Sequence, residues 1–156
     1  MRKLVIIALA LLTLGTAAPA VAATGHHHSP RIAAGTPIYL QINTNNCLNS
    51  NGVNQQLTSD NAAGGCTNWH GVSIGSSLFL MENGANNCMR ENNSNQITVV
   101  SNCNSSDAQQ QWQLFSCGTN CYKYYSSYFG NNVSVTGPAS GDKVWGGNDH
   151  IDWLQF

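Results

Sequence analysis

The chain has 156 residues, and only 8% of them are charged, with six Lys or Arg set against seven Asp or Glu. Binders of nucleic acid carry clustered basic residues on one face, whereas Arg31, Arg90, Lys123 and Lys143 are scattered here, which argues against nucleic acid and against an anionic membrane surface as partners. Asn, Gln, Ser, Thr and Gly dominate the polar positions, so solubility has to rest on amides and hydroxyls.

Residues 1–23 read as a secretory signal peptide: Arg2 and Lys3 precede an apolar run from Leu4 to Leu14, followed by the small-residue stretch GTAAPAVAA. Cleavage after Ala22 or after Ala23 would leave small residues where the peptidase reads. The apolar run is too short to span a bilayer, and no later segment approaches the roughly 20 apolar residues a spanning helix needs. The mature protein is therefore expected to be secreted and extracellular, with no membrane insertion. Loss of the leader leaves four basic and seven acidic residues, a net charge of −3. Residues 24–37 are expected to form a flexible N-terminal segment. It carries His26, His27 and His28, a run flanked by Gly and Pro that lacks the spacing of a fixed metal site and fits loose transition-ion binding or a tag. Neither a metal centre nor a cofactor is expected.

Downstream the chain reads as short strands punctuated by turns. In order, the strand-like runs are IYLQI (38–42), SLFLM (77–81), QITVV (96–100), WQLF (112–115) and NVSVTG (132–137), several alternating apolar with polar. Turn clusters separate them: NSNG, AAGG, ENGANN and GPASGD. No window sustains a 3.6-residue apolar period, so the class is all-β, a barrel or sandwich. One layout recurs three times, opening on Cys47, Cys88 or Cys121 and closing on Trp69, Trp112 or Trp153, with the tryptophans 43 and then 41 residues apart. Repeats of about 40 residues, approximately 38–76, 77–116 and 117–156, predict pseudo-threefold symmetry within one domain, 38–156. A mature chain of this size buries roughly two-thirds of the surface its unfolded form exposes. Six cysteines in an exported chain point to disulfides. Among the many possible pairings the repeat favours a local set, Cys47–Cys66, Cys88–Cys103 and Cys117–Cys121.

The second unit, CMRENNSNQITVVSNCNSSDAQQQWQLF, resembles one repeat of the ricin-type β-trefoil lectin family. The resemblance rests on the Cys-x-x opening at Cys88, the strand ending on Cys103, the turn NSSDAQ and the Gln-x-Trp signature at Gln110, Gln111 and Trp112. The first unit matches less closely, with CLNSNG from Cys47 and Thr67 in place of the Gln. The third is weaker again, with CYKYY from Cys121 and Ile151 in place of the Gln. The resemblance implies a disulfide-stabilised β-trefoil of twelve short strands, in which each repeat can present a shallow sugar pocket on its outer surface. It also implies that Trp69, Trp112 and Trp153 are core and that Gln110 is a buried structural amide.

Sugar binding needs a carboxylate or amide for adjacent hydroxyls and an aromatic face for the apolar side of the ring. In galactose-binding members of the family an acidic residue stands two positions after the opening Cys; here those positions hold Asn49, Arg90 and Lys123. The stacking aromatic is missing too, since Ser101 and Asn102 precede Cys103 and Gly64 and Gly65 precede Cys66. Polar sites remain conceivable. Asn49 would act with Asn51 and Asn68 in the first repeat. Arg90 would act with Asp107 and Gln109 in the second, on a sugar carboxylate or sulfate. Lys123 would act with Tyr125, beside Tyr124 and Tyr128, in the third, although alternation along a strand would bury some of those rings.

No nucleophile motif is present. The close carboxylates Asp149 and Asp152 flank His150 where strand alternation separates neighbours onto opposite faces, so no catalytic activity is expected. His70 and His150 are isolated, and Asn92, Asn104 and Asn132 open glycosylation sequons. Two readings follow: a carbohydrate-binding module whose partner is a glycan or glycoconjugate, or a trefoil with degenerate pockets that binds a protein, as a toxin-accessory subunit or enzyme inhibitor. A self-assembling extracellular structural protein is a third, which a closed barrel would disfavour by pairing its strand edges.

Overall fold

The computed structural model describes residues 36–40, 43–148 and 153–155. The leader, His26 to His28, the end of the IYLQI run at Gln41 and Ile42, and Asp149, His150 and Asp152 lie outside the described residues. The described residues form twelve strands: β1 Thr36–Leu40, β2 Asn43–Asn49, β3 Thr58–Asn61, β4 Asn68–Gly75, β5 Leu78–Asn83, β6 Asn87–Glu91, β7 Ile97–Ser101, β8 Trp112–Gly118, β9 Cys121–Ser126, β10 Asn132–Val135, β11 Asp142–Gly147 and β12 Trp153–Gln155. Single 3-10 turns sit at Ala62–Gly64 and Ala108–Gln110.

The amide-rich composition has a local cause in the turns. Asn54, Asn86, Asn95, Asn102 and Asn120 all hold positive φ, a conformation Asn tolerates better than most side chains. Between β4 and β5 the two linking residues, Ser76 and Ser77, both have positive φ, as tight hairpin turns require.

Six strands close a ring by antiparallel pairing: β1 with β4, β4 with β5, β5 with β8, β8 with β9, β9 with β12, and β12 back to β1. The other six form three hairpins, β2–β3, β6–β7 and β10–β11. The hairpins meet one another where the Leu57 amide donates to Ile97 (2.8 Å) and the Val144 amide donates to Leu57 (3.0 Å). Leu57, Ile97 and Val144 are fully buried, so equivalent residues of the three repeats share the pseudo-threefold axis.

The barrel core is tryptophan-centred. Trp69, Trp112 and Trp153 are all buried, and each indole N–H donates to a main-chain carbonyl, of Leu48 (3.1 Å), Met89 (3.1 Å) and Val133 (3.0 Å) respectively. Burying an indole withdraws a large apolar area but strands its N–H unless a partner is supplied. The same solution appears three times, and it fixes which strands are equivalent: β2, β6 and β10.

The disulfides are Cys47–Cys66, Cys88–Cys103 and Cys117–Cys121. The first two close loops of 19 and 15 residues, each contributing about 3 kcal/mol by chain entropy. The third clips the β8–β9 hairpin at its turn. Cys121 is therefore not the counterpart of Cys47 and Cys88, as its spacing from them implies. That place on β10 belongs to Asn132, the residue before Val133.

Candidate functional site

The strand equivalence set by the tryptophans locates three related positions, one after each carbonyl that receives an indole: Asn49 on β2, Arg90 on β6 and Ser134 on β10. Lys123 and Tyr125, assigned to the third position by cysteine spacing, lie one strand earlier on β9, in the barrel wall. Ser134 is buried and pairs across the hairpin with Trp145, so neither a carboxylate nor an amide stands there.

In the first repeat the amide of Asn49 closes on its own chain. Its Oδ1 accepts from the Thr67 N–H (2.9 Å) and hydroxyl (2.8 Å), and its Nδ2 donates to the Gly65 carbonyl (3.2 Å). Asn49 thus clasps the loop leading into β4. Asn51 donates to the Gln56 carbonyl (2.9 Å) and the Thr58 hydroxyl (3.0 Å). Asn68 is exposed at the start of β4, opposite Pro37. The three asparagines named for this repeat therefore do not converge on one opening; two of them are bonded into turns.

The second repeat brings its predicted residues together. Arg90 faces Asp107 as an ion pair, Nε to Oδ2 3.2 Å, with the N–H not aligned for a hydrogen bond, and its Nη2 donates to the Gln109 side-chain carbonyl. Gln109 passes the chain on by donating to the Asn93 side chain (2.8 Å). Asp107 is placed by its own helix-capping role, since Oδ1 accepts from the Gln109 N–H (3.1 Å) at the start of the 3-10 turn. Gln110, buried beneath, donates to Asp107 Oδ2 (3.0 Å) and accepts from the Asn104 N–H (3.0 Å). The side chains of Arg90 and Asp107 remain 35% and 26% exposed, so solvent reaches a cation, a carboxylate and two amides held in one place. A guanidinium has more N–H donors than these contacts use.

In the third repeat the tyrosines divide between the two faces of β9. Tyr124 is buried, its hydroxyl donating to Gln155 Oε1 (2.9 Å), and burial, with a smaller contribution from Tyr122, pushes its phenol well above the usual range. Tyr125 points outward and meets Phe115 of β8 edge to face, ring centroids 5.9 Å apart. Tyr128 is exposed in the following turn and packs edge to face on Phe129 at 4.7 Å. Phe115 escaped the sequence reading because the run WQLF shows alternation without showing which face is core. Among the described residues no cluster of His, Cys, Asp or Glu suits a metal ion.

Glu91 was also unmarked by the sequence. It is fully buried at the end of β6, with Oε1 accepting from Asn131 Nδ2 at 2.7 Å, while Oε2 has no hydrogen-bond partner. It occupies space that Gly146 leaves open, since a Cβ there would lie 1.8 Å from Oε1.

No protein-family model matches the chain, and no curated protein matches it. Solved structures do. The designed threefold-symmetric protein ThreeFoil superposes with a TM-score of 0.65 at 16% identity, over 76% of this chain and 95% of its own. The chain is a β-trefoil. Cytolethal distending toxin from Actinobacillus actinomycetemcomitans gives a TM-score of 0.64 at 14% identity, over 77% of this chain and 89% of the matched chain. A Polyporus squamosus lectin, bound to the epitope Neu5Aca2-6Galb1-4GlcNAc, gives 0.63 at 14% identity, over 78% of this chain and 48% of the lectin. At such identities the likeness concerns the fold.

Proposed function

We propose that this trefoil is a secreted carbohydrate-binding module of the ricin-type lectin kind, without catalytic activity. The observation that carries this reading is the half-exposed cluster of Arg90, Asp107, Gln109 and Asn93, where charge and amides are held ready on a disulfide-tied repeat. Its chemistry suits vicinal hydroxyls, which accept from amide N–H groups and donate to the carboxylate, and a sugar carboxylate or sulfate, which accepts from the guanidinium. The known lectin with this fold supports the reading by analogy only. Glycan-array binding of the disulfide-intact mature chain, repeated with Arg90→Ala, tests it: specific binding weakened by the substitution is the expected result.

The second reading, a trefoil that binds a protein through degenerate pockets, draws on Asn49, whose amide is consumed by Thr67 and Gly65. A chain that ignores neutral, amino-sugar and acidic glycans alike would favour it.

A further inference from the structure

We infer that the Arg90 cluster selects an acidic glycan, one that carries a sulfate ester or a carboxylate, over a neutral sugar. This rests on the carbohydrate-binding reading above and adds the class of ligand to it.

Hydrogen-bonding capacity decides between the two chemistries. A carboxylate that clasps two adjacent hydroxyls needs open lone pairs on both of its oxygens, and Asp107 does not have them. Its Oδ2 accepts from Gln110 Nε2 (3.0 Å) and faces Arg90 Nε at 3.2 Å, so that oxygen is enclosed by nitrogens of its own chain. Its Oδ1 accepts from the Gln109 N–H (3.1 Å) and keeps a single further lone pair. The amide oxygens are engaged as well. Gln109 Oε1 accepts from Arg90 Nη2, and Asn93 Oδ1 accepts from Gln109 Nε2 (2.8 Å).

The donors are in the opposite condition. Arg90 Nε is buried against Asp107, and one N–H of Nη2 goes to Gln109. Both N–H groups of Nη1 and the second of Nη2 are left at the tip of a side chain that is 35% exposed. Gln109 Nε2 keeps one N–H, and Nδ2 of the exposed Asn93 keeps both. Solvent therefore meets a group of N–H donors around one fixed positive charge. Paired guanidinium donors match two oxygens of a carboxylate or sulfate, in charge-assisted bonds about twice as strong as neutral ones.

The surroundings point the same way. Thr98 faces Arg90 across the β6–β7 hairpin, and its hydroxyl donates to the Arg90 carbonyl (3.2 Å). Thr98, Asn93, Asp107 and Gln109 carry no aromatic ring, so stacking on a sugar face adds nothing among them and affinity has to come from the polar contacts. Arg90 is the one basic residue of the second repeat, 77–116. Its strand neighbour Glu91 turns to the opposite face, where it is fully buried and accepts from Asn131. Asp107 covers the Nε side of the guanidinium, which leaves the Nη1 side for an incoming anion. The arrangement is in place before a ligand arrives, because Cys88–Cys103 ties β6 to the loop ahead of Asp107 and buried Gln110 holds Asp107 from beneath.

The test titrates residues 24–156, refolded with the disulfides intact, with three oligosaccharides of one backbone: neutral, sulfated and uronic. Inorganic sulfate and acetate are titrated alone beside them. Arg90→Ala, Arg90→Gln and Asn93→Ala are compared with the parent, each with its unfolding midpoint. The expected result is that an acidic member binds about tenfold or more tighter than the neutral one, by charge-assisted bonding that high salt weakens. Both Arg90 variants should remove that preference, and Asn93→Ala, which leaves the guanidinium in place, should weaken the acidic member about threefold. The tighter of the sulfated and uronic members names the anion. Neutral and acidic members bound equally, and both weakened by the Arg90 variants, overturn this inference and leave the carbohydrate-binding reading standing. An acidic preference that survives all three variants overturns it by placing the anion elsewhere. Inorganic sulfate or acetate bound as tightly as the glycan overturns it by reducing the cluster to a simple anion site. No glycan binding by the parent overturns both readings.

Discussion

The hairpins β4–β5 and β8–β9 occupy equivalent places in the barrel, yet they share one face and differ on the other. Inward, Met81 and Tyr124 stand at matching register positions and both are buried, and the first strands carry Trp69 and Trp112 at matching positions, each with its indole N–H bonded to main chain. Outward, one hairpin pairs His70 with Glu82 and the other sets an exposed Phe115 edge to face against a half-buried Tyr125. Threefold packing constrains only the inner set, so the outer residues of each repeat are free to follow chemistry rather than fold.

If that division is right, inward substitutions should act alike in both hairpins. Trp69→Ala and Trp112→Ala should each cost about 3 to 5 kcal/mol in denaturant unfolding, through cavity formation and loss of the buried N–H bond. A value below about 1 kcal/mol for either would break the equivalence.

The hairpin caps should show a comparable asymmetry. Gly146→Ala drives a methyl into the Glu91 carboxylate and should cost about 1 to 3 kcal/mol. Alanine at Gly64, where a Cβ meets nothing within 4 Å, should change the midpoint little. Asn49→Ala strips the Thr67 N–H and hydroxyl of their acceptor and should cost about 1 to 2 kcal/mol, without loss of glycan affinity if its amide is architectural.

Tyr124 and Met81 sharpen the comparison by pH. Burial raises the Tyr124 phenol above its unfolded value, so its neutral form is the one the fold favours. That contribution is complete below pH of about 10 and is lost as pH rises from there toward the folded value. Stability should fall in that alkaline range, and Tyr124→Phe should flatten the fall while giving up the bond to Gln155. A Tyr124→Phe profile with the same alkaline slope would assign the titration elsewhere.

The smallest effect belongs to the outer pair of β4–β5. His70→Ala should move stability by about 0.5 kcal/mol or less, because a partly exposed imidazole–carboxylate contact contributes little.

Sequence showed much of this architecture and less of its surface. The spacing of Trp69, Trp112 and Trp153 announced the repeat, since each indole must find a buried place and a carbonyl, and the Asn and Gly clusters marked turns that need positive φ. The third repeat misled through Cys121. It opens the third unit as a cysteine, but it stands only 33 residues after Cys88 where Cys88 stands 41 after Cys47, its bridge to Cys117 pins a hairpin instead of tying a strand to a loop, and Lys123 and Tyr125 followed it onto β9. Asn49 was legible as a polar residue at the pocket position, whereas its bonds to Thr67 and Gly65 depend on a loop sixteen to eighteen residues away. Phe115 and Glu91 could not be placed from local pattern at all. The facing of the first is set by register with β9, and the burial of the second by a glycine on a different repeat.

The most direct measurement is a glycan-array screen of residues 24–156, refolded with the disulfides intact, with Arg90→Ala run beside it. Carbohydrate binding by the parent, weakened by this substitution while the unfolding midpoint holds, is the predicted result. Silence across neutral, amino-sugar and acidic glycans would contradict the account and turn the trefoil towards a protein partner.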